Sequence, residues 1–287
     1  MIVKRKLSKK MYVLLSFLCW IVFAQSCMRM RISDTDANKE FTNKGLQLHF
    51  STIKKEGTDL HYAKVGVDTL PTLFFIHGSP GSWDAFKTYM QDSILLQKFR
   101  IISIDRPGFG YSNFGNAMHL QPQCELIYEI IQKENNNKPI HLIGHSIGGP
   151  VAVQLAQNHP NLYASLTILA GSISIKDEPK EYWRSVAKLV PMRYLFPGAF
   201  RPSNDEIVYF KKDMIELDKG YEKLKMPITF IHGDADKFVT VKNVDYGKER
   251  LLHNPNVNAI IIPNAAHFIP WTHYEIIKNH LLTLSPK

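Results

Sequence analysis

Short, continuous apolar runs alternate along most of this chain with longer stretches in which apolar residues recur every three or four positions. The continuous runs fall near residues 72–77, 100–104, 139–143, 165–170, 227–232 and 258–262 and predict strands. The periodic stretches near 82–91, 120–134, 147–158, 240–252 and 271–284 predict helices. A strand that is apolar at every position is covered on both faces, so this alternation predicts a mostly parallel sheet between two helical layers. Ahead of it, Leu46 to Ile53 and Leu60 to Val65 flank Lys55-Glu56-Gly57-Thr58-Asp59 and predict an antiparallel hairpin, for eight strands in all. One interval breaks the pattern. Between Ala170 and Met226 lie about fifty residues of mixed helical signal with prolines at 179, 191, 197 and 202, too long for a plain connection and predicted to be an insertion at about 174–224.

The candidate chemistry sits where predicted strands end. Gly144-His145-Ser146-Ile147-Gly148 follows Ile140-His141-Leu142-Ile143 and precedes a small, apolar helix. A tight strand-to-helix turn of this spacing thrusts the serine hydroxyl outward, and only glycine leaves room for the strand and helix to pass so closely. A serine nucleophile also needs a base for its proton and donors for the oxyanion it creates. His77-Gly78-Ser79-Pro80-Gly81-Ser82 ends another strand; Pro80 has no N–H, so the natural donors are the N–H groups of Ser79 and of Ile147. Ser82 is the expected N-cap of the helix that follows. Two later strands end in Asp234-Ala235-Asp236 and in Asn264-Ala265-Ala266-His267, so the order along the chain is serine, acid, histidine.

These stretches resemble the α/β-hydrolases, from about Leu46 to Leu284, and Asp105-Arg106-Pro107-Gly108-Phe109-Gly110-Tyr111-Ser112 is similar to the D-x-x-G-x-G-x-S turn of that superfamily. The resemblance implies an α/β-hydrolase fold: a mostly parallel eight-stranded sheet with helices on both faces and a small helical cap at the 174–224 insertion. It implies Ser146 as nucleophile, His267 as general base, Asp236 as the acid orienting it, and Ser79 and Ile147 as oxyanion donors. The acid is assigned by its place three residues after Gly233. A serine at 146 separates the chain from epoxide hydrolases and haloalkane dehalogenases, which use aspartate there. The favoured activity is cleavage of a carboxylic ester or related acyl bond through an acyl-enzyme, with no cofactor. Alternatives within the fold are carbon–carbon bond hydrolysis and aminopeptidase action, for which Glu178, Glu181, Asp205 or Glu206 would hold a substrate amine. A catalytically silent ligand-binding member is the alternative outside catalysis. Seven aromatics of the insertion (Tyr182, Trp183, Tyr194, Phe196, Phe200, Tyr209, Phe210) either line an acyl pocket or pack the cap itself, and packing is preferred for most.

Composition alters this picture mainly at the amino terminus. The chain of 287 residues is long enough for one large core, at 45% hydrophobic and 21% charged residues. Its net charge of +9 is concentrated in residues 1–31, which carry seven Lys or Arg and no acid, leaving +2 on the remainder. The basicity therefore does not predict nucleic-acid binding by the folded part. Lys4, Arg5, Lys6, Lys9 and Lys10 precede an uncharged, largely apolar run from Met11 to Ala24, as in an export signal. Ala24-Gln25-Ser26-Cys27 resembles a bacterial lipoprotein box. The expected organisation is residues 1–27 as signal peptide or membrane anchor, 28–44 as a tether and 45–287 as the hydrolase domain. The expected location is exported and membrane-attached through the amino terminus. Of three cysteines only Cys124 remains in the folded part, so no internal disulfide is expected, and no C-x-x-C or H-E-x-x-H spacing suggests a metal.

Overall fold

A computed structural model describes residues 8–176, 182–190 and 192–285. Its centre is one eight-stranded sheet in the order β1-β2-β4-β3-β5-β6-β7-β8. The strands are β1 (His49–Lys55), β2 (Thr58–Val65), β3 (Thr72–Ile76), β4 (Arg100–Ile104), β5 (Ile140–His145), β6 (Ser165–Leu169), β7 (Ile228–Gly233) and β8 (Val257–Ile262). β1 and β2 form the antiparallel hairpin, β2 joins β4 antiparallel, and every pairing from β4 to β8 is parallel. The apolar continuity of β3 has a direct cause. Phe74 and Ile76 enter one core while Leu73 and Phe75 enter the core on the opposite face.

Seven helices of nine residues or more occur among the described residues: α1 (Lys9–Ser26), α2 (Asp34–Thr42), α3 (Leu120–Lys133), α4 (Gly148–Asn158), α5 (Phe200–Asp218), α6 (Lys242–Arg250) and α7 (Tyr274–Thr283). α3, α4 and α5 pack with one core, α2 and α7 with the other. α3 buries Leu120, Cys124, Ile127 and Ile131, a three-and-four spacing that lays one face on the sheet. Its Cys124 thiol is fully buried and lies 3.6 Å from the Val151 carbonyl.

Three expectations change. Residues 82–91 form a 3₁₀ turn, Trp83–Phe86, followed by one helical turn, Lys87–Met90. Their large buried residues Trp83, Phe86 and Tyr89 are spaced by three, which suits 3₁₀ geometry better than 3.6 residues per turn. Ser82 stands at the N-cap position as expected, but its hydroxyl makes no capping hydrogen bond; it lies 2.5 Å from the Met30 carbonyl and beside the Asp84 carboxylate. The terminal helix breaks at His273 into Ile269–Thr272 and α7.

The third change concerns residues 28–44, expected as a tether. They contain α2, whose N-cap Ser33 accepts from the Asp36 N–H at 3.1 Å and whose first turn carries Asp34 and Asp36. The segment reads as polar because the helix buries only Ala37 and Phe41, one seam at i and i+4. Residues before α2 also lie on the fold: the Ala199 N–H donates to Met28 O at 2.9 Å and the Tyr111 hydroxyl to Ile32 O at 3.1 Å. Upstream, α1 rests on the 174–224 insertion, with Gln25 Nε2 donating to Tyr194 O at 2.9 Å and Phe196 O at 3.0 Å. Among the described residues no helix is long and apolar enough to cross a membrane.

The insertion between β6 and β7 holds a short helix, Trp183–Ala187, a 3₁₀ turn, Met192–Leu195, and α5. Pro179, Pro191, Glu178 and Glu181 lie outside the described residues. Its aromatics divide: Trp183 stacks on Phe196 within the insertion, Tyr209 lies against His119, Phe210 joins the core on the sheet, and Tyr182 is 79% exposed.

Two buried imidazoles in β5 make an acid-sensitive core. Burial lowers His141 to about 4 and His145 to about 3; the neighbouring His280 and His267, respectively, push in the same direction. Below pH 6.5 the unfolded chain binds protons that the folded chain refuses, so stability falls as pH falls, by about 1.4 kcal/mol per pH unit for each group until its folded value is reached. Thermal melts are expected to drop by several degrees between pH 7.5 and 5.5, with a shallower slope for His141→Gln. Equal melting temperatures at the two pH values would contradict this account.

Candidate active site

Four strand ends along one stretch of the sheet's carboxyl edge carry the candidate residues: those of β3 and β5 and, across β6, those of β7 and β8. In open parallel sheets the loops at this edge diverge and leave room for a site. At the end of β5, Ser146 adopts φ +54, a left-handed conformation that a residue with a β-carbon occupies only at a cost. The turn is held from both sides: Ser146 N–H donates to Leu169 O at 3.0 Å, and its own carbonyl accepts from Gly149 N–H at 2.9 Å. Glycine is required on each flank. A β-carbon at Gly144 would stand 2.2 Å from Gly148 O, and one at Gly148 would stand 2.2 Å from Ile76 O.

At the ends of β7 and β8 the structure brings Asp236 and His267 together, Oδ2 to Nδ1 at 2.7 Å. Asp236 Oδ1 accepts from the N–H groups of Phe238 at 2.8 Å and Val239 at 2.9 Å. Burial would raise this carboxyl, but hydrogen bonds from His232, His267 and the Val239 N–H outweigh it and hold Asp236 well below the usual carboxylate range. An ionised carboxylate only accepts, so the His267 proton sits on Nδ1 and Nε2 keeps a lone pair. Asp234 is exposed and elsewhere engaged; its Oδ1 accepts from the Asn264 N–H at 2.6 Å. Phe238 and Phe268 flank the His267 ring at 5.6 Å each.

The turn after β3 lies against the serine. A β-carbon at Gly78 would be 3.0 Å from Ser146 Cβ, which places the Gly78–Ser79 peptide beside it. Ile147 is the first residue after Ser146 and the N-cap of α4. Among the described residues, neither the Ser79 N–H nor the Ile147 N–H donates to another protein group.

Several residues that order this site were not singled out from the sequence. His145 Nε2 lies 3.2 Å from His267 O. His232 Nε2 lies 2.8 Å from Val239 O and 3.4 Å from Asp236 Oδ2, bracing the loop that bears the acid. Asp105 joins His61 at 2.8 Å and accepts from Trp83 N–H and Tyr111 N–H, so it organises its turn. Arg106, in the same turn, is fully buried and pairs with Glu206 on α5. Of the acids suggested for amine binding, Glu206 is thus committed to Arg106, and Asp205 to Arg193 at 2.6 Å.

A family model described as alpha/beta hydrolase fold matches residues 71–196. A pimeloyl-[acyl-carrier protein] methyl ester esterase of Methylococcus capsulatus is 30% identical over 127 residues, which are 43% of this chain and 45% of that protein, under half of its length. A bifunctional esterase/perhydrolase of Acinetobacter calcoaceticus is 23% identical over 274 residues, with 79% of this chain and 96% of that protein covered. Among solved structures, a putative lipase from Acinetobacter baumannii superposes with a TM-score of 0.62 at 18% identity, covering 88% of this chain and 97% of that one. In the course of its sheet and in these matches alike, the chain has the α/β-hydrolase fold.

Proposed function

We propose that this hydrolase cleaves a carboxylic ester or related acyl bond through an acyl-enzyme on Ser146. The observation that carries the reading is the 2.7 Å contact between Asp236 and His267 at the sheet edge where Ser146 occupies its strained turn. His267 Nε2 takes the serine proton as the hydroxyl attacks the carbonyl, and the N–H groups of Ser79 and Ile147 receive the oxyanion. His267 then protonates the leaving alcohol and activates water for deacylation. The esterase and lipase names of the relatives support an ester as substrate. The engagement of Asp205 and Glu206 with arginines speaks against an amine-binding cap built on those two acids.

The test is a fluorophosphonate probe with a panel of ester substrates. A stoichiometric adduct on the peptide containing Ser146, together with loss of ester turnover, is expected. Turnover that survives full labelling would sink the reading.

The proposed location is the outer side of a bacterial membrane, held through an acylated Cys27. Support comes from the basic start, the apolar run to Ala24 and the small residue before the cysteine. The insertion from 174 to 224 would serve as the cap, close to the anchor because Ala199 N–H donates to Met28 O, next to Cys27, at 2.9 Å. Cys27→Ser is expected to move the protein from detergent-requiring fractions to soluble or unprocessed forms, since the acyl chains supply the anchoring energy. Unchanged retention and an intact amino terminus would refute acylation there.

A further inference from the structure

Taking the Ser79 N–H as an oxyanion donor, the reading proposed above, we infer that Arg106 is a positioning residue: it pins the Gly78 carbonyl, thereby aims the Ser79 N–H, and through Glu206 makes that aim depend on the seating of α5. The C=O of Gly78 and the N–H of Ser79 belong to one planar peptide unit and point in opposite directions. Fixing the carbonyl therefore fixes the N–H. Two buried donors fix it: Arg106 Nη2 at 3.0 Å and His77 Nδ1 at 2.7 Å.

The tautomer of His77 follows from its other contact. The Arg106 backbone N–H lies 3.0 Å from His77 Nε2, and an amide N–H can only donate. Nε2 therefore accepts, and Nδ1 carries the proton toward Gly78 O. The guanidinium itself is held at both ends. Nη2 meets Glu206 Oε2 at 3.0 Å, and Nη1 meets Glu206 Oε1 and, at 3.1 Å, Gln123 Oε1. Each Nη atom thus has two acceptors for its two hydrogens. A planar fork can grip a carboxylate with two nitrogens and still donate to a carbonyl; a lysine ammonium cannot span both. A charged donor on the carbonyl also polarises the peptide and strengthens its N–H. α5 has a second tie to the same turn, Ser79 Oγ to Ser203 Oγ at 3.0 Å.

Two variants separate aiming from mere support of the fold. Arg106→Lys keeps a charge for Glu206 but releases Gly78. The double variant Arg106→Met with Glu206→Met removes the pin without leaving a buried charge unpaired. Each is assayed in the full chain for kcat and KM on an ester. Each is also assayed for binding of a trifluoromethyl ketone, whose serine adduct carries an oxyanion, and of the matching unreactive alcohol.

Removing an oxyanion donor outright costs about 10² to 10³ in kcat, so a misaimed one is expected to cost about 10- to 100-fold. Trifluoromethyl ketone affinity is expected to fall by the same factor, while KM and alcohol affinity stay within about threefold. A folded variant with wild-type kcat and ketone affinity overturns the inference, as does a kcat loss with unchanged ketone affinity or a matching rise in KM. Should neither variant fold, Glu206→Gln is expected to move the same two readouts by a smaller factor, and no movement overturns the inference. A wild type without Ser146-dependent turnover defeats the functional reading itself. An active wild type with indifferent Arg106 variants defeats this inference alone.

Discussion

Ser146→Ala is expected to leave a folded protein that turns over ester substrates on the order of 10⁶ times more slowly. The size of the effect follows from the role proposed for the hydroxyl. Without it no acyl-enzyme forms, and the oxyanion donors and binding groups alone retain only a small residue of catalysis. The fold is expected to survive because the turn is held by backbone groups: the Ser146 N–H on Leu169 O and the Ser146 carbonyl under Gly149 N–H. Alanine keeps the β-carbon that already occupies φ +54, so the substitution adds no new backbone cost. Melting temperature within a few degrees of wild type and loss of fluorophosphonate labelling should accompany the loss of kcat. Near wild-type hydrolysis by the variant would show that another group attacks the substrate.

Asp236→Asn is expected to lower kcat by about 10⁴, the cost where an orienting aspartate of such a triad has been amidated. The surroundings of the carboxylate say why. Oδ1 faces two N–H donors, those of Phe238 and Val239, so the amide oxygen of an asparagine must turn toward them. Its NH₂ then faces His267 Nδ1, which has to become the acceptor, and the ring proton moves to Nε2. The imidazole would hold a proton where it needs a lone pair. The same NH₂ would also stand against the His232 Nε2–H, which is shared between Val239 O and Asp236 Oδ2, so some loss of stability is expected as well. Asp234→Asn is expected to change kcat by less than about threefold, since an amide oxygen can still accept from Asn264 N–H. Steady-state kinetics of the two variants side by side decides the matter. A reversal of their severity would show that the acid has been misassigned.

The alternation of apolar strands and amphipathic helices, the leading hairpin and the long insertion before β7 are local properties, and each was legible in the sequence. A strand buried on both faces must be apolar throughout, and a helix on a sheet must show one apolar seam. The motifs around Ser146, Ser79 and His267 were legible for a related reason: tight turns at strand ends constrain neighbouring residues. In the sequence the choice between Asp234 and Asp236 rests on resemblance alone; in the structure it is Asp236 whose carboxylate meets the imidazole, while Asp234 meets the Asn264 N–H.

Other features had no local signal. α2 was hidden by its polarity, because Ala37 and Phe41 are all that it buries. The segment 83–90 split into a 3₁₀ turn at Trp83–Phe86 and one helical turn at Lys87–Met90 because tertiary packing buries Trp83, Phe86 and Tyr89 together. The grip of Arg106 on Gly78 and Glu206 joins residues up to 100 positions apart, and an isolated arginine in a turn or glutamate in a helix reads as a solvated charge. What the sequence by itself determined is what hydrophobic periodicity and steric limits at turns impose on neighbours along the chain. Which buried charge meets which was decided only by the tertiary structure, because desolvation forces such groups to find partners wherever the folded chain brings them.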